Sequence, residues 1–210
     1  MLGQMLLTAI VLASVYALLA VGFVVIYRSS RILNFAYGDI VMLAGYFLVT
    51  MTTITTGPTP IAIVITLLLG FIIGVVIYAL LISPMASQPA FSTIILTVCI
   101  GIVLRTVTIL FWAGKVEIIE LGLSSNYLRI GNVNISSNQI LLIITNILVF
   151  IGLITFYRYS KIGQQMRAIS ESALLASQRG INIHFIMGIA WGLGFFFSTL
   201  AALFLGANYG

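Results

Sequence analysis

The chain has 210 residues, of which 61% are apolar and 6% charged, with a formal net charge of +5 and a mean hydropathy of +1.23. A soluble domain carries about 25% charged residues, so this composition excludes a water-soluble globular fold and assigns the chain to a bilayer. The cations are scattered singly, without the basic run that a nucleic-acid partner requires, and the single cysteine, Cys99, excludes an internal disulfide and reads as a small packing residue.

Crossing about 30 Å of hydrocarbon takes about 20 mostly apolar residues in a helix. Runs at 4–26, 40–56, 60–82, 91–113, 138–157 and 183–205 meet or approach that length. They predict an all-α fold, a polytopic transmembrane helical bundle of about six spans, in a single domain over 1–210. None of the runs alternates in the manner of barrel strands. The first run has no cation before Arg28, so it reads as a retained helix and not as a cleaved signal peptide. The second is the weakest, because Thr50, Thr52, Thr53, Thr55 and Thr56 dilute its end. Gly57-Pro58-Thr59-Pro60 predicts a tight turn into the third run. Residues 114–137 mix apolar and turn residues and predict a small hairpin. Residues 158–182 form the longest polar stretch. After the sixth run the sequence stops without a polar tail, which reads as truncation.

Orientation follows from the cations. With 158–182 in the cytoplasm, alternation puts Arg28, Arg31, Arg158, Lys161, Arg167 and Arg179 inside, and only Lys115 and Arg129 outside. The positive-inside rule then sets the N-terminus outside.

The acids Asp39, Glu117, Glu120 and Glu171 lie in loops or at a span edge, and His184 is the only histidine. No general acid–base pair converges. No metal-ligand cluster and no phosphate-binding loop appears either, so the sequence predicts neither catalysis nor a bound metal or cofactor. No span has a central carboxylate or a lysine, which points to a passive route powered from elsewhere.

Arg105 is the one charge well inside a span. It offers a contact for an anionic group such as a substrate carboxylate, or it snorkels to the headgroups or pairs with Glu117 or Glu120. Gly70/Gly74 and Gly188/Gly192 have the spacing that lets helices approach closely, for internal packing or subunit contact. Asn34 and Asp39 flank aromatics at the entry to the second span. Either Asp39 is a helix N-cap, or this segment is a broken helix lining a pathway. Gln164 to Arg179 predicts one amphipathic helix, with Met166, Ile169, Ala173 and Ala176 as its stripe and Gly180 as the terminating C′ glycine. So short a helix must dock, on headgroups or in a partner's groove.

Two runs carry a family resemblance. One is Arg31-Ile32-Leu33-Asn34-Phe35-Ala36-Tyr37-Gly38-Asp39, after a helix containing Gly3, Ser14, Tyr16-Ala17-Leu18 and Gly22. The other is Gly163-Gln164-Gln165-Met166-Arg167-Ala168, then Ala176 and Gly180-Ile181-Asn182. Together they resemble the permeases of branched-chain amino acid ABC importers, of the leucine/isoleucine/valine H type. The resemblance implies a translocation subunit with two ATP-binding cassette partners, a second permease chain, an extracytoplasmic substrate-binding protein and a small amino acid as substrate. Close relatives that carry urea or amides leave those as alternatives, and a channel, a secondary carrier or a non-transporting scaffold are rivals from other classes. It also implies that Met166, Ile169, Ala173, Ala176 and Gly180 couple the chain to an ATPase, and that Asn34, Asp39 and Arg105 belong to the pathway. The chain departs from the family at Tyr37, where many relatives carry His, and in the importer-wide E-A-A-x-x-x-G pattern, of which Ala176 and Gly180 remain. Further spans usually follow in the family, so the resemblance implies a shortened permease half.

Overall fold

The computed structural model describes residues 2–54, 60–85, 88–113, 127–130 and 133–209. The six long helices are α1 (Leu2–Ser30), α2 (Tyr37–Ile54), α3 (Pro60–Ile77), α4 (Ala90–Trp112), α5 (Ser137–Tyr159) and α8 (Ile183–Tyr209). Each belongs to a helical stretch long and apolar enough to cross a membrane. Strands β1 (Tyr127–Ile130) and β2 (Val133–Ser136) pair antiparallel before α5, in the stretch where a hairpin is predicted. Two short helices, α6 (Lys161–Glu171) and α7 (Ala173–Gln178), link α5 to α8. The expected turn at 57–60 lies outside the described residues except for Pro60, which opens α3. Lys115, Glu117 and Glu120 lie outside them as well.

The bundle is organised around α8. In its most apolar stretch 72% of the residues are buried, against 17% to 39% in the other five helices. The glycine pairs of α3 and α8 face each other. A Cβ on Gly74 would lie 2.9 Å from the Gly192 Cα and 2.7 Å from the Trp191 carbonyl oxygen, and one on Gly192 would lie 2.8 Å from the Phe71 ring. Lipid tails are as apolar as leucine, so membrane helices gain by close van der Waals approach, which small residues permit. These glycines therefore serve internal packing. On another face of α8, a Cβ on Gly22 of α1 would meet the Gly194 carbonyl oxygen at 2.8 Å. Trp191, Phe195 and Ala201 fill the space around this axis and are almost fully buried.

Helix α3 does not end cleanly. It continues as a π-helical turn over Tyr78–Ile82 and a 3-10 turn over Ser83–Met85. The Ser83 hydroxyl and His184 Nδ1 then meet at 2.9 Å, tying this end to the start of α8. Helix α5 is the most peripheral. The Asn146 side-chain amide donates to the Ser14 carbonyl oxygen on α1 at 2.6 Å. Cys99 departs from its expected role: it is exposed on α4, and the face of α4 that packs is built from Thr93, Thr97, Ile100 and Gly101.

Candidate functional site

The connection between α1 and α2 is the first unusual feature. Ser29 and Arg28, at the end of α1, lie against Tyr157 near the end of α5, with the guanidinium 5.1 Å from its ring centroid. From there the chain turns back. Arg31 takes a left-handed φ of 56°, and residues 31–36 run without helix to Tyr37.

The start of α2 abuts the middle of α4. Gly101 is the middle residue of α4 (Ala90–Trp112), about 16 Å from either end at 1.5 Å per residue. A Cβ there would lie 3.3 Å from the Ala36 Cα and 2.6 Å from Asp39 Oδ2. Thr97, one turn earlier, accepts from the Phe35 amide at 3.2 Å. One turn later, Arg105 Nε donates to Asp39 Oδ1 at 2.9 Å. Helix α2 thus begins beside the middle of α4, and irregular chain covers the first half of that helix.

Asp39 is not the N-cap of α2. It sits in the first turn, and the preceding turn is held by Asn34, whose Oδ1 accepts from the Ala36 amide at 3.1 Å. Asparagine mimics a backbone turn two residues on, and this outcompetes an aspartate already committed to Arg105. Asn34 itself is 2% exposed, and its Nδ2 has no partner among the described residues. Of the predicted pathway residues, then, Asp39 and Arg105 come together, while Asn34 shapes the same segment from inside. Glu117 and Glu120, the other partners expected for Arg105, lie outside the described residues.

Sequence reasoning missed Thr97 and Gly101. Their signal is the four-residue spacing Thr93, Thr97, Gly101, Arg105, which sets small and polar groups along one face of α4. Among the described residues no three of His, Cys, Asp and Glu gather as metal ligands.

The second candidate region is α6 and α7. The single helix predicted over 164–179 is two helices, because Ser172 is extended (φ −156°, ψ 106°) and its hydroxyl accepts from the Leu175 amide at 3.3 Å. A serine is a strong N-cap and a weak helix former, so the break falls there. Ser160 caps α6 likewise, accepting from the Gly163 amide at 2.9 Å. At the far end Gly180 has φ +77°. Its amide donates to the Ser177 carbonyl oxygen at 2.9 Å, and Ile181 donates to that of Ala176 at 3.1 Å. These two bonds are a Schellman closure, which needs a left-handed C′ residue.

The predicted apolar stripe is divided. Met166, Ile169 and Ala176 are buried in a cluster with Val21 and Val25 of α1, Tyr157 of α5 and Ile186 and Ala190 of α8. They are therefore not open to a partner's groove or to headgroups, as the sequence led us to expect. The chain's own bundle supplies the apolar surface that so short a helix needs. Ala173 is exposed, because the break at Ser172 shifts the phase of α7. Gly180 is exposed too. What α7 presents outward is Leu174 and Leu175, 70% and 61% exposed. A cleft of about 310 Å³ lined by Lys161, Gln164, Gln165, Ala168 and Ile181 adjoins α6.

Residues 5–210 match the family described as branched-chain amino acid transport system / permease component. The high-affinity branched-chain amino acid transport system permease protein BraD of Pseudomonas aeruginosa is 27% identical over 223 residues, covering 99% of this chain and 71% of that protein. The corresponding permease protein LivH of Escherichia coli K12 is 27% identical over 224 residues, and that of Salmonella typhimurium 26% over 226, with the same coverage. No solved structure gives a significant match. With six helical stretches long and apolar enough to cross a membrane and a family match over nearly its whole length, the chain is a multi-pass membrane protein that belongs to the branched-chain amino acid transport permease family.

Proposed function

We propose that the chain is the translocation subunit of an ATP-driven importer for branched-chain or related small amino acids in the cytoplasmic membrane. Two ATP-binding cassette subunits hydrolyse the ATP, a second permease chain completes the route, and an extracytoplasmic binding protein delivers the substrate. The substrate class comes from the names of the relatives. The observation in the chain itself that carries the reading is the start of α2 beside the middle of α4, with the Asp39–Arg105 pair next to it. Non-helical backbone and charge at that depth are tolerated where they border water or protein, and not lipid. This supports the reading in which residues 31–39 and Arg105 belong to the pathway, with Asn34 fixing its shape.

In this reading the N-terminus is outside and α6 and α7 are the cytoplasmic coupling element. Met166, Ile169 and Ala176 fasten it to α1, α5 and α8, and Gly180 terminates it. The docking face offered to a cassette subunit is Leu174 and Leu175, with Ala173 beside them. A push on α7 passes directly to α8, the helix the bundle is built around.

Reconstituted with its partner subunits, the chain should support leucine uptake that requires ATP and survives dissipation of ion gradients. Uptake that collapses with the gradients while ATP is present would make it a secondary carrier. The double substitution Leu174→Glu and Leu175→Glu should leave insertion intact but weaken co-purification of the cassette subunit by about tenfold or more, as loss of an apolar anchor does at interfaces. Unchanged co-purification would remove α7 from the coupling role.

A further inference from the structure

Asp39 and Arg105 form the one ion pair among the described residues, and it is incompletely used. Only the Arg105 Nε is engaged, by Asp39 Oδ1. The two terminal nitrogens, which with Nε make the fork that grips carboxylates bidentately, have no partner among the described residues. The Arg105 side chain is 65% exposed and that of Asp39 only 12%. A guanidinium left open to hydrocarbon is costly, which points this face toward something polar. Gly38 adjoins the pair with nothing within 4 Å of where its Cβ would stand. Val98 and Ile102, seven and three residues before Arg105, share its side of α4, and they and Phe35 are exposed apolar groups.

We propose that this pair is the intramembrane site for the zwitterionic head of an α-amino acid. The substrate carboxylate takes the open fork of Arg105, its ammonium takes the Asp39 carboxylate, and its aliphatic side chain lies against Phe35, Val98 and Ile102. The resting Asp39–Arg105 contact stands in for the substrate when the site is empty. A zwitterion inserted between the two residues adds no net charge at membrane depth, so each charge keeps a partner throughout. Urea or a simple amide has no charges to offer and gains nothing by parting the pair. The proposal rests on the importer reading and adds to it the place and chemistry of recognition.

The test uses the assembled importer in proteoliposomes. Asp39→Asn, Arg105→Gln, their combination, and the exchange Asp39→Arg with Arg105→Asp are compared for L-leucine uptake, with co-purification of the partner subunits as the check on assembly. A pair that only holds helices together is repaired when both charges are removed or exchanged. A zwitterion site is not, because its geometry toward the substrate stays wrong. Uptake should fall at least about tenfold in all four variants, the loss of one charge-assisted contact of about 1.5 kcal/mol or more. As an independent readout, Gly38→Cys in a Cys99→Ser background should react with a small methanethiosulfonate more slowly when L-leucine is present, and not when isovaleramide is. Restored uptake in the exchanged pair, or labelling indifferent to leucine, would overturn the site. No ATP-dependent uptake by the unaltered complex would instead overturn the importer reading, and this proposal with it.

Discussion

Gly74→Leu should cost the protein about 3 kcal/mol or more, the upper end of overpacking effects, and lower its Tm in detergent markedly. The reason is what the new side chain meets. At Gly74 the nearest atoms are the Trp191 carbonyl oxygen and the Gly192 Cα, both of them backbone on α8. A flexible side chain would swing aside, but a helix backbone moves only as a whole. The same substitution at Gly152 of α5, where nothing lies within 4 Å of a Cβ, is the control. It should be close to neutral, since leucine is a better helix former than glycine. Equal Tm values for the two variants would mean that α3 and α8 do not meet through these glycines.

Met166→Ala should release the α6–α7 segment while the six spans stay in place. Met166 is 1% exposed in the cluster that holds this segment to α1, α5 and α8. Truncating a buried methionine costs about 2–5 kcal/mol, a large fraction of what fastens so short an element. Trypsin cleavage at Lys161, Arg167 or Arg179 reads the release directly and should quicken strongly, while bundle Tm changes little. Leu174→Ala, by contrast, should leave cleavage unchanged, because Leu174 is 70% exposed and holds nothing in this chain. If Met166→Ala left cleavage at the wild-type rate, the stripe would not be an anchor.

Much of the architecture was readable in advance, because bilayer thickness turns apolar run length into helix count. The runs at 60–82, 91–113 and 138–157 became helical stretches with nearly those bounds. What was not readable has local causes. The second run is a helix long and apolar enough to span, but hydropathy reports length and not the level at which a helix starts. Only the contacts of Gly101, Thr97 and Arg105 reveal where α2 begins. Asp39 stayed open between a cap and a broken-helix position because composition near a helix start cannot tell a carboxylate bonded to amides from one bonded to a guanidinium four helical turns into another segment.

The stripe on α6 shows a further limit. Periodicity identified Met166, Ile169 and Ala176 as needing cover, and they have it. It carried no information on whether the cover comes from another protein or from the chain's own α1, α5 and α8. The Ser172 break was visible as a capping residue, but the apolar period runs across it and suggested continuity. Gly180 was the most legible residue of the segment, since a Schellman closure with a left-handed C′ position has few other solutions.

The position of α8 in the chain has a consequence for biogenesis. Helices α1, α2 and α3 all pack against the helix that is synthesised last of the six. Chains emerge N-terminal end first, so the earlier helices enter the bilayer while the surface they will share does not yet exist. Until α8 arrives, the glycine faces of Gly22 and Gly74 open onto lipid tails, and the irregular run 31–36 lacks part of its protein shelter. The membrane insertion machinery therefore has to hold these faces until the sixth helix slides into the socket that the earlier ones have prepared.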